Sequence, residues 1–96
     1  MRRDEVLRIL GEHREELVRL GVRSLALFGS AARDEASDAS DIDLLVEFTG
    51  RVGLFHFLEV KEFLEAVLGR SVDLGTPDSL HPRLRERVLR EAVRVA

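Results

Sequence analysis

Between residues 42 and 74 the hydrophobic period changes twice, and that change restricts the available folds more than any other feature. Ile42, Leu44, Leu45, Val46 and Phe48 read as a strand buried on at least one face. Gly50 and Gly53 punctuate its exit. From Leu54 through Leu68 the apolar residues recur at helical spacing, with Gly69 placed to close the helix. Ser71-Val72-Asp73-Leu74 then alternates polar with apolar, as a half-buried strand does. A whole helix between two strands is the connection that parallel neighbours require.

The flanking segments add the remaining elements. Val6, Leu7, Leu10, Leu17 and Leu20 predict one amphipathic helix over residues 4 to 20, stopped at Gly21. Ser24-Leu25-Ala26-Leu27-Phe28 reads as a short buried strand ending at Gly29, and Ser30 to Ser40 as one or two helical turns followed by a loop. Thr76-Pro77 signals the start of a closing helix that carries Leu80, Leu84, Val88, Leu89, Ala92 and Val93 on one side. The first two strands are expected antiparallel, meeting at the Gly29 end. The fold class is therefore α/β (α+β), a small mixed sheet with helices packed on it.

Composition bounds the chemistry. A chain of 96 residues fits one domain, residues 1 to 96, which buries about 60–65% of its unfolded surface. No apolar run approaches the roughly 20 residues that span a bilayer, so no membrane role and a cytoplasmic location are expected. With no cysteine, thiolate metal sites and thiol nucleophiles are excluded, and any metal must rest on oxygen or imidazole. The formal charge of −3 argues against a main task of gripping nucleic acid.

Asp41 and Asp43 flank Ile42 at the start of the second strand, where side chains two apart share a face about 6.6 Å from one another. On the opposite alternation Ile42 and Leu44 enter the core, so burial holds the acids in register. Asp73 adds a third carboxylate if its strand lies beside the second. Three such acids on one face suit Mg²⁺ and, as a pair of metals, an in-line phosphoryl displacement. Gly29 and Ser30 lie at a strand-to-helix turn, where glycine permits close backbone approach and free N–H groups cradle phosphate. Arg33, three residues beyond Ser30, can grip phosphate oxygens.

Taken singly, each feature has a structural reading: a turn and helix cap, a solvated strand edge, the exposed half of an alternating strand, a surface charge. Together they form Gly29-Ser30, ten residues, then Asp41-Ile42-Asp43, with a later strand acid. That combination resembles the nucleotidyltransferase superfamily typified by DNA polymerase β. The segments Leu27-Phe28-Gly29-Ser30-Ala31-Ala32-Arg33, Ser40-Asp41-Ile42-Asp43-Leu44-Leu45-Val46 and Val72-Asp73-Leu74 look more narrowly like the minimal nucleotidyltransferases of prokaryotes.

The resemblance implies that Asp41 and Asp43 hold Mg²⁺, that Asp73 completes the acid set, and that Gly29-Ser30 contacts the triphosphate of ATP. It implies a HEPN-family protein partner, for which the chain acts as antitoxin by transferring AMP to it. A non-catalytic antitoxin that blocks the HEPN partner sterically is the alternative, and strand extension on nucleic acid ranks below both. His13, His56 and His81 are read as surface or partly buried side chains. Phe55, Phe57 and Phe63 cannot all face one narrow core stripe, so one side of their helix is a candidate partner surface.

Overall fold

The computed structural model describes residues 2–29, 41–79, 81–91 and 93–95. The segment expected to hold a short helix, 30 to 40, lies outside the described residues, and Ser30 and Arg33 with it. The chain opens with α1 (Arg3–Glu12) and α2 (Arg14–Arg19). Strands β1 (Val22–Phe28) and β2 (Ile42–Phe48) follow, then α3 (Leu54–Leu68) and β3 (Val72–Gly75). A 3₁₀ turn (Pro77–Ser79), α4 (Pro82–Glu91) and a short β4 (Val93–Arg94) complete the chain.

The sheet order is β3-β2-β1-β4. β1 and β2 are antiparallel, and β2 and β3 are parallel, as the interposed helix requires. The expected mixed sheet is therefore present, with an edge strand that the sequence did not announce. Two residues are too few to leave a hydrophobic period, and β4 exists because β1 offers its edge: Val93 lies opposite Leu27, and the Val95 N–H donates to the Leu25 carbonyl at 2.7 Å.

Alternation sorts the sheet into two faces. Leu25 and Leu27 of β1, with Ile42, Leu44 and Val46 of β2, are buried on one side. They meet Val60, Leu64 and Leu68, one stripe of α3 at i, i+4 and i+8, and Val6, Leu10 and Leu17 from the N-terminal helices. On the other alternation Leu45 is also buried, where the 3₁₀ turn packs on β2. α3 ends at Gly69, whose φ of +66° is a left-handed cap closed by its N–H on the Glu65 carbonyl at 2.8 Å. The Glu65 carboxylate reaches on to accept the Val72 N–H at 2.9 Å, which joins the helix end to the first residue of β3.

Three expectations are corrected: the closing helix ends at Glu91, so Val93, expected on it, lies in β4 instead. The predicted single helix over 4 to 20 breaks at His13, whose Nδ1 lies 2.7 Å from the Glu16 carboxylate and whose ring meets the edge of Phe63 at 5.9 Å. The break lets α1 lie on α3 while α2 lies on β1. Thr76-Pro77 opens the 3₁₀ turn instead of the closing helix. Ser79 Oγ donates to the Thr76 carbonyl at 2.7 Å and completes that turn. Pro82, without an N–H and hostile to a helical residue before it, sets a new first position for α4.

Leu64 is fully buried between the sheet and α1. Leu64→Ala is expected to cost about 2–5 kcal/mol of unfolding free energy, a large share of the stability of a small domain, and urea denaturation at constant m-value measures it.

Candidate active site

The strand register brings Asp43 and Asp73 side by side. Along the parallel β2–β3 pair Ile42 stands opposite Val72, Asp43 opposite Asp73, and Leu44 opposite Leu74. The Ile42 N–H donates to the Ser71 carbonyl at 2.9 Å, which aligns the starts of the two strands. Val72 and Leu74 are buried beside Ile42 and Leu44, so both carboxylates are pushed to the opposite face. Asp41, one residue before β2, is exposed, Asp43 is half-buried, and Asp73 is exposed at the sheet edge.

On the other flank of β2, Phe28 lies opposite Asp43, and the chain leaves β1 through Gly29 with φ at +72°. A side chain at Gly29 would be strained by that backbone and would also collide with Asp43: a Cβ placed there falls on Oδ2, and 3.2 Å from Cγ. The absent side chain leaves the space in which the Asp43 carboxylate sits. Gly29 thus does two jobs, turning the chain and letting its backbone lie against the acid.

Burial raises the Asp43 pKa first, the charges of Asp73 and Asp41 raise it further, and a side-chain hydrogen bond with Asp73 adds to the effect. An acid crowded by two others favours a proton or a cation in the space between them. The donors are hard carboxylate oxygens, which fit a hard divalent cation. Among the described residues no group of three acidic or imidazole side chains is spaced as a finished metal site. The close pair is Asp43 and Asp73, with Asp41 at the strand entrance above them.

The nucleotidyltransferase domain family matches residues 10–95. The chain belongs to that family. It is 45% identical over 93 residues to the protein adenylyltransferase MntA of Thermococcus cleftensis, covering 96% of this chain and 94% of that protein. A solved chain assigned to the minimal nucleotidyltransferases is 42% identical with a TM-score of 0.82, covering 97% of this chain and 95% of that one. The MNT antitoxin of Shewanella oneidensis, solved in complex with a tri-AMPylated HEPN toxin, is 22% identical with a TM-score of 0.59, covering 91% and 70%. At that identity the likeness is one of fold.

In this nucleotidyltransferase the histidines lie away from the acids. His56 Nε2 is 2.5 Å from the Leu20 carbonyl and ties the first turn of α3 to the turn before β1, and His81 Nδ1 accepts the Arg83 N–H at 3.2 Å. The phenylalanines of α3 divide as their spacing predicts: Phe57 and Phe63 pack against the core, whereas Phe55 is 88% exposed. The sequence did not single out Phe28 as the neighbour of Asp43, nor a cavity of about 320 Å³ at the far end of β2. Both depend on strand register, for which the alternation of a single strand carries no signal.

The raised pKa of Asp43 has a thermodynamic sign. The folded chain holds the proton more tightly than the unfolded chain, so this group's contribution is present at low pH and is lost as pH rises from the ordinary carboxylate pKa through the raised one. In metal-free buffer Asp43→Asn is therefore expected to melt at the same or a higher temperature than wild type at pH 7, with a flatter stability profile above about pH 4. Gly29→Ala is expected to lose about 1–3 kcal/mol in the same melts, through the left-handed backbone and displacement of Asp43.

Proposed function

We propose that this nucleotidyltransferase transfers AMP from ATP to a hydroxyl of a HEPN-family toxin partner and so acts as its antitoxin. The observation that supports it most is the Asp43–Asp73 register pair held against Gly29. Asp41, Asp43 and Asp73 would hold Mg²⁺, which supplies charge neutralisation at the triphosphate when bound. The amide side of Gly29, with Ser30 and Arg33 following it, would engage the β- and γ-phosphates.

In the reaction the acceptor oxygen attacks the α-phosphorus, a new oxygen–phosphorus bond forms, and the bond to the bridging α–β oxygen breaks as pyrophosphate leaves. The acceptor proton must go to a nearby base. Asp73, exposed at the sheet edge and bonded to Asp43, is the carboxylate best placed to receive it. The adenylyltransferase identity of the Thermococcus relative and the tri-AMPylated toxin bound to the Shewanella antitoxin support AMP and a HEPN protein as the transferred group and acceptor. Among the described residues no helix is long and apolar enough to cross a membrane.

Incubating the purified chain with a HEPN-family toxin, ATP and Mg²⁺ should add one or more AMP masses to that toxin. Asp41→Asn with Asp43→Asn should slow that gain by roughly 10²-fold or more, while the variant stays folded. A complex that neutralises the toxin with no mass gain would replace transfer by steric blocking. Thermal melts provide a second check: ATP and Mg²⁺ at about ten times the dissociation constant should stabilise wild type by about 1.4 kcal/mol and leave the double variant almost unmoved.

A further inference from the structure

The row of side chains that makes the acid site runs out to a strand edge. Phe28 stands opposite Asp43, and Asp43 opposite Asp73, so the row crosses β1, β2 and β3 on one face of the sheet. β3 is the outermost of these strands, and among the described residues no strand lies beyond it. Its ladder to β2 uses alternate residues. Because the Ile42 N–H donates to the Ser71 carbonyl, Ser71, Asp73 and Gly75 turn their backbone groups toward β2, and Val72 and Leu74 turn theirs outward.

The two outward donors differ. The Val72 N–H is capped by the Glu65 carboxylate at 2.9 Å, whereas the Leu74 N–H has no acceptor among the described residues. Exposure follows the same order, 3% at Val72 and 8% at Leu74. An edge with unpaired N–H and C=O groups is a template for an extended polypeptide, which gains backbone hydrogen bonds by joining it. With four residues in β3 and its first donor capped, the edge offers only a few such bonds.

The proposed reaction identifies the occupant. In an antiparallel strand added to this edge, the residue that exchanges hydrogen bonds with Leu74 points its side chain to the α3 side, as Leu74 does. Its neighbour opposite Asp73 then points to the acid face, with its Cβ about 4.5–5.5 Å from that of Asp73. A hydroxyl side chain at that position extends the row and meets the carboxylate that must take its proton. Asp41, Asp43 and Asp73 have no ion-pair partner among the described residues, which disfavours a phosphate backbone at this edge and favours a polypeptide.

We propose that the protein acceptor enters as an extended antiparallel segment on the outer edge of β3, one of its carbonyls accepting the Leu74 N–H and its hydroxyl-bearing residue standing opposite Asp73. This rests on the AMP transfer proposed above and adds how the acceptor is held.

Amide exchange and steady-state kinetics on the full chain test it. With a HEPN-family toxin, Mg²⁺ and a non-hydrolysable ATP analogue, exchange at the Leu74 amide should slow by roughly tenfold or more, while the Val72 amide, already bonded to Glu65, changes little. A synthetic chain N-methylated at Leu74 loses the outward donor and keeps its side chain and the ladder to β2. It should melt as wild type does and show KM for the toxin raised by about fivefold, with KM for ATP unchanged. A Leu74 amide already protected in the free chain, or unmoved by the toxin, overturns the proposal even where AMP is transferred. So does a methylated chain with the wild-type KM for the toxin. Protection of Leu74 by the toxin with no AMP gain from ATP itself would instead keep the edge docking and remove the transfer reading.

Discussion

The pairing of β2 with β3 in parallel register is the interaction on which the rest of the site depends. Asp43 and Asp73 are thirty positions apart in the chain, and neither has local reason to be near the other. They are opposed because Ile42 and Leu44 share a buried face with Val72 and Leu74, and because a slip of one residue would turn both apolar rows into water. The cost of crowding the acids is thus met by apolar burial on the reverse of the same strands. Core and site are two faces of one register.

That coupling explains the arrangement around it. α3 packs the reverse face through Val60, Leu64 and Leu68, and its Glu65 side chain holds Val72 at the entrance to β3, two residues from Asp73. Gly29 closes the other flank, where β1 and β2 meet at Phe28 and Asp43. The backbone on either side of Asp43 and Asp73 is thus fixed by hydrogen bonds and by the core. Burial of Asp43 first, and then the charges of Asp73 and Asp41, raise its pKa in the fold.

The two ends of β2 have different surroundings. At the Asp43 end β2 is flanked by Phe28 of β1 and Asp73 of β3. At the Phe48 end β3 has already stopped, leaving a recess beside Val46 and Phe48.

The sequence by itself determined the alternation of β2 and β3, the helix between them, and hence a parallel pair with its acids on the solvent side. Those features are local: a period of two or of 3.6 is written in neighbouring residues, and so are Gly29-Ser30 and Asp41-Ile42-Asp43 with their spacing. Tertiary structure alone decided which residues stand opposite one another. It placed Asp73 against Asp43, pressed the Asp43 carboxylate onto Gly29, broke the first helix at His13, added β4 to the free edge of β1, and left Phe55 outside the core. The physical reason is that register and edge pairing are set by the fit of whole apolar faces and by backbone hydrogen bonds between distant segments, neither of which leaves a period in either segment taken alone.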